Sequence, residues 1–227
     1  MKTITFKHTV SDGWEGLPDC AKLDGPNTLV LAFCAPHYRE NSKPLQELQE
    51  YFPNSVVTGC STSGEIHGSQ ILDLSMSVSV IQFETSKVVK EEISISDDNE
   101  SQAMGKQIAE KIMKDDLAGV LVLCDGLAVN GTSLVNGINE VIDTKKIPVA
   151  GGLAGDGNHF QQTWILSDGK ALSGKIAAVG FYGPDLAVSN SSQGGWDIFG
   201  PERTITKSSG NVLYKIDNQP ALDLYKK

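Results

Sequence analysis

The 227 residues hold no hydrophobic run long enough to span a bilayer. The longest apolar stretch near the start, Leu29 to Ala35, is far too short. Met1 to Ser11 mixes Lys, Thr and His with isolated apolar residues and lacks the apolar block of a signal peptide. A cytoplasmic protein with no membrane insertion is the expectation. Positive charge is also scarce: 19 Lys and Arg stand against 28 Asp and Glu, a formal net charge of -9. Such a surface repels nucleic-acid phosphates, and no Lys or Arg run offsets it, so nucleic acid is excluded as the main partner. Only four cysteines are present, Cys20, Cys34, Cys60 and Cys124. None form a C-x-x-C pair, which removes the support for structural zinc, and their wide spacing fits reduced thiols better than disulfides.

The common catalytic and nucleotide-binding signatures are missing as well. There is no G-x-x-x-x-G-K-[ST] loop and no H-E-x-x-H. Gly59-Cys60-Ser61-Thr62-Ser63 approaches a nucleophile elbow but has Ser where the second Gly is required. Gly151-Gly152-Leu153-Ala154-Gly155 follows a strand pattern without spelling G-x-G-x-x-G, and no helix pattern follows it. Cys60 at a turn is the one nucleophile to weigh, for a Cys-dependent enzyme; no partner base is indicated, and a free cysteine is more often a small packed side chain.

What is present is 40% hydrophobic and 21% charged residues, ordinary for a globular chain long enough for a sizeable core. Two short buried-strand patterns, Thr28 to Cys34 and Val120 to Cys124, are each followed by an amphipathic helix pattern, Pro44 to Phe52 and Ser133 to Ile142. Ser42 is the expected cap of the first, Thr132 or Ser133 of the second. Each helix leads to a strand that runs into small residues, Ser55 to Gly64 and Ile147 to Asp156, ninety-two positions apart. Extended segments follow: Met76 to Val80 and Val89 to Ile95 in the first half, matched with Thr163 to Leu166 and Ile176 to Tyr182 in the second. Asp97 to Met113 reads as a further helix. The fold class expected is α/β to α+β, with mixed sheets built from two tandem copies of a β-α-β-β-β unit and helices packed outside. The copies would cover roughly 25–115 and 117–210 of a domain spanning 1–210.

Both small-residue junctions have two readings. Each can be a tight turn packed against the other copy. Each can also be a concave run of backbone N–H groups that receives an anion or carbonyl. On the second reading the ligand-binding residues are Gly59, Cys60, Ser61, Thr62, Ser63 and Gly64 with Gly151, Gly152, Gly155 and Asp156, the carboxylate of Asp156 being suited to an ammonium group. Valine at Gly59 or Gly152 is then expected to abolish binding and spare the fold. His67 and His159 lie just beyond the two turns, where an imidazole can ligate a haem iron. Trp164, Phe181, Tyr182, Trp196 and Phe199 are ordinary core or the wall of an apolar pocket.

Three ordered motifs carry a resemblance. Gly59-Cys60-Ser61-Thr62-Ser63-Gly64-Glu65-Ile66 resembles the central signature of the FIST N-terminal domain, and Gly151 to Gly157 its second glycine motif. Gly195-Trp196 with Gly200-Pro201, then Ala221 to Tyr225, resembles the junction with the FIST C-terminal domain, of which 211–227 would be the truncated opening. The resemblance implies a bacterial sensory module rather than an enzyme. It would bind a small-molecule ligand and signal through a histidine kinase, chemotaxis receptor or cyclic-dinucleotide enzyme. A branch of this family resembles the haem-containing nitric-oxide sensors called NosP. Membership there implies haem as cofactor and an axial histidine, His159 first and His67 second.

Overall fold

Strands that are apolar at nearly every position are covered on both faces, and such strands form the centre of two stacked sheets here. The computed structural model describes residues 1–227 except Ser192, Gln193, Trp196, Asn211 and Lys227. Met1–Asn190 and Ser191–Lys227 are separate units. The first begins with strands β1 (Lys2–Thr9), β2 (Gly13–Glu15) and β3 (Thr28–Cys34), helix α1 (Lys43–Tyr51) and strand β4 (Val56–Ser61). A small hairpin, β5 (Glu65–His67) and β6 (Gln70–Leu72), leads to β7 (Ser75–Gln82) and β8 (Lys87–Ser94). Helix α2 (Ser101–Ile112), β9 (Leu117–Cys124), α3 (Gly131–Asn139) and β10 (Val149–Leu153) follow. A second hairpin, β11 (Ile165–Ser167) and β12 (Lys170–Leu172), and β13 (Lys175–Tyr182) complete the unit.

The first sheet has the order β12-β11-β4-β3-β7-β1-β2 and the second β10-β9-β13-β8. In each, one parallel pair (β3 with β4, β9 with β10) is flanked by an antiparallel strand (β7, β13). Side chains alternate between layers. Val30, Ala32 and Cys34 of β3 join Leu45, Leu48 of α1 and Phe52 in one cluster. Val120, Val122 and Cys124 of β9 join Ile108, Ile112, Leu134 and Ile138 of α2 and α3 in another. The intervening residues, among them Leu29, Leu31, Leu121 and Leu123, meet between the sheets with Cys60, Ala177 and Val179. The fold is thus mixed α/β, with mixed sheets face to face and helices on their outer faces.

Three local expectations are corrected. Asn130, not Thr132 or Ser133, caps α3, its side chain accepting from the Ser133 N–H at 3.0 Å. Thr132 and Ser133 are already inside that helix, and Ser42 precedes α1 without a side-chain capping bond. The segment Thr163 to Leu166 does not take the place of Met76 to Val80. It leads into β11, whereas β7 has its positional match in β13, each pairing with the first strand of its parallel pair. Both halves carry a short hairpin there.

Ser191–Lys227 holds a three-stranded antiparallel sheet, β14 (Ile205–Ser209), β15 (Val212–Ile216) and β16 (Gln219–Pro220), and one turn of helix, α4 (Ala221–Tyr225). Asp217 ties it together, accepting from the Thr204 N–H at 2.9 Å and Arg203 at 3.0 Å. Phe199 is fully exposed and Trp196 lies outside the described residues, whereas Trp164, Phe181 and Tyr182 pack in the first unit. No described helix is long and apolar enough to cross a membrane.

Two glycines set the parallel pairs. A Cβ on Gly59 would stand 1.8 Å from the Ala32 carbonyl oxygen, and one on Gly151 at 1.8 Å from that of Val122. Backbone on the neighbouring strand cannot yield without breaking the ladder. Gly152 meets nothing within 4 Å. Gly59→Val is therefore expected to disrupt the fold, contrary to the expectation above. Gly59→Ala and Gly151→Ala are each expected to cost about 1–3 kcal/mol or more, and Gly152→Ala less than about 0.5 kcal/mol, in urea denaturation. Equal midpoints for all three would contradict this account of the strand contacts.

Candidate functional site

The carboxyl ends of adjacent parallel strands are where open α/β sheets gather ligands. Here β3 ends at Cys34 and β4 at Ser61, side by side. The chain leaving β3 turns through Ala35, Pro36, His37 and Tyr38. The chain leaving β4 forms the Thr62-Ser63-Gly64 turn. A third wall comes from the other half of the unit: the turn after β10, Ala154 to His159, is tied to the first. The Gly155 N–H donates to the Ser61 carbonyl at 2.9 Å and the Gly157 N–H to Ser63 Oγ at 3.0 Å. Together they enclose a cleft of about 210 Å³ lined by His37, Thr62, Ser63, Gly64, Asp156 and His159, with Glu65 and Asp73 beside them. A second hollow of about 230 Å³ shares His37, Asp156 and His159.

Two of the three carboxylates at this cleft, Asp156 and Glu65, are already engaged. Asp156 is buried and accepts the N–H groups of Phe160, Gln161 and Gln162 at 3.0, 2.6 and 2.8 Å. Those bonds, that of Gln162 foremost, hold its carboxyl below the usual range. The group folds its own loop and is poorly placed to grip an ammonium ion. Glu65 is 1% exposed and accepts from Thr62 Oγ1 and Ser75 Oγ, each at 2.8 Å. Burial pushes its pKa up, against those hydrogen bonds.

His37 is the unsatisfied member. Both ring nitrogens are buried, and neither has a hydrogen-bond partner. A neutral imidazole carries one donor and one acceptor, and an orphaned buried polar atom costs about 1–3 kcal/mol. Burial lowers the His37 pKa, with Glu40 opposing the shift. The ring faces the cleft in its neutral form, with a donor and an acceptor free.

The residues singled out from the sequence do not gather in one place. Thr62, Ser63, Gly64, Asp156 and His159 line the cleft, His159 being exposed. Gly155 lies beside Ser63, leaving its Oγ only 2.6 Å from a would-be Cβ. Gly59, Cys60 and Ser61 are buried in β4 and do not line it; burial pushes the Cys60 thiol up to about 12, so it stays protonated at neutral pH. Gly151 and Gly152 line a different, apolar groove of about 250 Å³ between α3 and β10. His67 is half-buried on β5, its Nδ1 3.4 Å from Ser77 Oγ, and does not share the cleft with His159. Among the described residues no group of three or more His, Cys, Asp or Glu is placed to hold a metal ion. Sequence reading missed His37 and Glu65. The position of His37 three residues beyond a strand of a parallel pair was the available signal.

A model of the FIST N domain family matches residues 28–219. The uncharacterized protein MJ1623 of Methanocaldococcus jannaschii is 23% identical over 231 residues, which cover 97% of this chain and 44% of that protein. The chain thus spans less than half the length of that relative. No solved structure matches it.

The lowered His37 pKa sets a sign. The unfolded chain binds a proton near pH 6.5 that the folded chain resists, so this stability is complete above that pH and is lost on acidification. His8, also lowered by burial, acts in the same direction, and Glu65, raised, in the opposite one. The fall in urea midpoint from about pH 7.5 to about pH 5.5 is therefore expected to shrink in His37→Gln. An undiminished fall would show that His37 does not resist protonation.

Proposed function

We infer that this chain, which belongs to the FIST N domain family of sensory domains, senses a small polar metabolite in the cleft between the Thr62–Gly64 and Asp156–His159 turns. The observation that carries the reading is the pair of buried, unpartnered nitrogens on His37. A ligand group that donates or accepts a hydrogen bond satisfies the one that faces it. Ser63 and His159 stand across the same space to complete its recognition. The two turns come from different halves of the unit, so a bound ligand bridges them. Occupancy would favour one arrangement of the halves, and a partner protein would read that arrangement. In this reading the chain is a cytoplasmic binding module, not an enzyme. Its output runs through a histidine kinase, chemotaxis receptor or cyclic-dinucleotide enzyme.

Haem does not fit this cleft. At about 210 Å³ it is below the roughly 300–1,000 Å³ of pockets for drug-sized ligands. Glu65, Asp73 and Asp156 line it where an apolar macrocycle would need hydrocarbon. His159 stands exposed at its rim.

Thermal-shift screening of a polar metabolite library, followed by calorimetry, tests the reading. A hit is expected to lose about tenfold or more in affinity in His37→Ala and Ser63→Ala, with unchanged circular dichroism. Unaltered affinity in both variants would move the site elsewhere. Adding haem is expected to produce no sharp Soret band. A band abolished by His159→Ala would instead establish the haem sensor.

A further inference from the structure

The two halves of the first unit each contain a three-plus-three hairpin, and only one of them closes a sheet edge. In the β11–β12 hairpin the register is Ile165 opposite Leu172, Leu166 opposite Ala171 and Ser167 opposite Lys170. β11 pairs antiparallel with the edge of β4, placing Leu166 opposite Gly59. Leu166 is then fully buried, and with Ala171 it joins the cluster of Leu45, Leu48 and Phe52 beneath α1. The hairpin's cross-strand pair fills the space between α1 and β4.

Among the described residues of the first unit, no hairpin fills the equivalent space in the other half. β10 is the edge of its sheet, and no described strand pairs with its outer side. Gly151 meets Val122 as Gly59 meets Ala32, at the same distances. Where Leu166 and Ala171 sit under α1, the α3 side has an apolar groove of about 250 Å³, walled by Leu134, Val135 and Ile138 of α3 and floored by Gly151 and Gly152. Leu153 and Val135 at its rim are each 51% exposed. The first half meanwhile holds a hairpin that closes nothing. In β5–β6, Glu65 stands opposite Leu72, Ile66 opposite Ile71 and His67 opposite Gln70. Ile66 and Ile71 occupy the positions of Leu166 and Ala171, yet are 70% and 79% exposed.

Chain length keeps these pieces apart within one molecule. The linker between β10 and β11 is residues 154–164, and that between β4 and β5 is only 62–64. At no more than about 3.5 Å per residue these reach roughly 38 Å and 10 Å. The Ile66 carbonyl, accepting from Ser77 Oγ at 2.8 Å, and Glu65, bonded to Ser75, further pin the hairpin to its own sheet.

We propose that the β5–β6 hairpin of one copy of this chain docks the side chains of its Ile66–Ile71 pair into the α3–β10 groove of a second copy. Reciprocal docking about a two-fold axis covers both grooves and gives a dimer rather than a filament. Four isoleucines at on the order of 100 Å² each, with the groove walls and strand backbones they cover, bury about 1,000 Å². That is near the lower bound for a specific interface and belongs with weak, reversible association.

The test is sedimentation equilibrium of the full chain from about 5 to about 200 µM, with Ile71→Lys and Gly152→Glu. Both sites are exposed and Gly152 has open space around it, so neither change disturbs the fold. Wild type is expected to dimerise. Each variant alone should weaken dimerisation about tenfold or more. An equimolar mixture should dimerise again, because it offers one native contact and one Lys–Glu contact. A monomer throughout the range overturns the proposal. So does a dimer that survives Ile71→Lys: if Gly152→Glu alone breaks it, two β10 edges pair directly, and if neither does, the interface lies elsewhere.

Discussion

Ser61 is the joint on which the first unit turns. It has no solvent exposure, and all three of its bonding groups are satisfied across the chain. Its N–H donates to the Trp164 carbonyl at 3.0 Å, its Oγ accepts the Trp164 N–H at 3.1 Å, and its carbonyl accepts the Gly155 N–H at 2.9 Å. Each of these bonds, if lost, leaves a buried polar group at a cost of about 1–3 kcal/mol. Their geometry has two results. β11 is held against β4, with the Trp164 indole buried and its Nε1 donating to the Pro36 carbonyl at 3.1 Å. The turn after β10 is drawn against the turn after β4. The cleft exists because one serine closes a sheet and joins two loops at once.

That joint also decides the electrostatics of the cleft. The loop from Gly155 onward must fold back on itself to reach Trp164, and Asp156 supplies the three acceptor contacts that let it do so. The sequence reading assigned Asp156 to the ligand; the fold uses it for the loop. Glu65 is similarly engaged with Thr62 and Ser75, which leads the chain from the cleft into β5. With Glu65 and Asp156 turned to structural work, the groups left at the cleft are the His37 imidazole, the Ser63 hydroxyl and the Asp73 carboxylate. Recognition at such a site rests on hydrogen bonding in a partly desolvated space, where a mismatched partner is rejected by the unpaired group it leaves behind.

The strands and helices of the first unit were legible because apolar periodicity reports burial directly. Thr28–Cys34, Val120–Cys124 and the two amphipathic helices stood within a few residues of the observed bounds. The glycine junctions were legible as places of close approach, and Gly59 and Gly151 are such places, toward the neighbouring strand's backbone. Sequence cannot say which neighbour a glycine admits, a ligand or a carbonyl. That is why Gly59, Cys60 and Ser61 were grouped with Thr62 and Ser63, although the face of the sheet changes between them. Ile66 and Ile71 were opaque for a related reason: the β5 and β6 patterns are three residues long, too short for alternation to show. His37 was invisible because an unsatisfied nitrogen is a property of its surroundings, and those come from residues more than a hundred positions away, such as Asp156 and His159.

The asymmetry between the halves follows from the lengths of two linkers. Eleven residues let β11 cross to the other sheet, while three hold β5 over its own. Loop-closure entropy rises only slowly with length, so the longer linker adds little cost relative to the burial of Leu166 and Trp164 that it permits. The short linker has a local effect in return: it keeps Thr62, Ser63 and Glu65 within one turn and gives the cleft a firm wall. A longer one would free the hairpin to seek β10 and would take Glu65 away from Ser75. One half thus contributes the long linker that builds the cleft's far side, and the other the short turn that defines its near side. The candidate cleft lies where these two departures from symmetry meet.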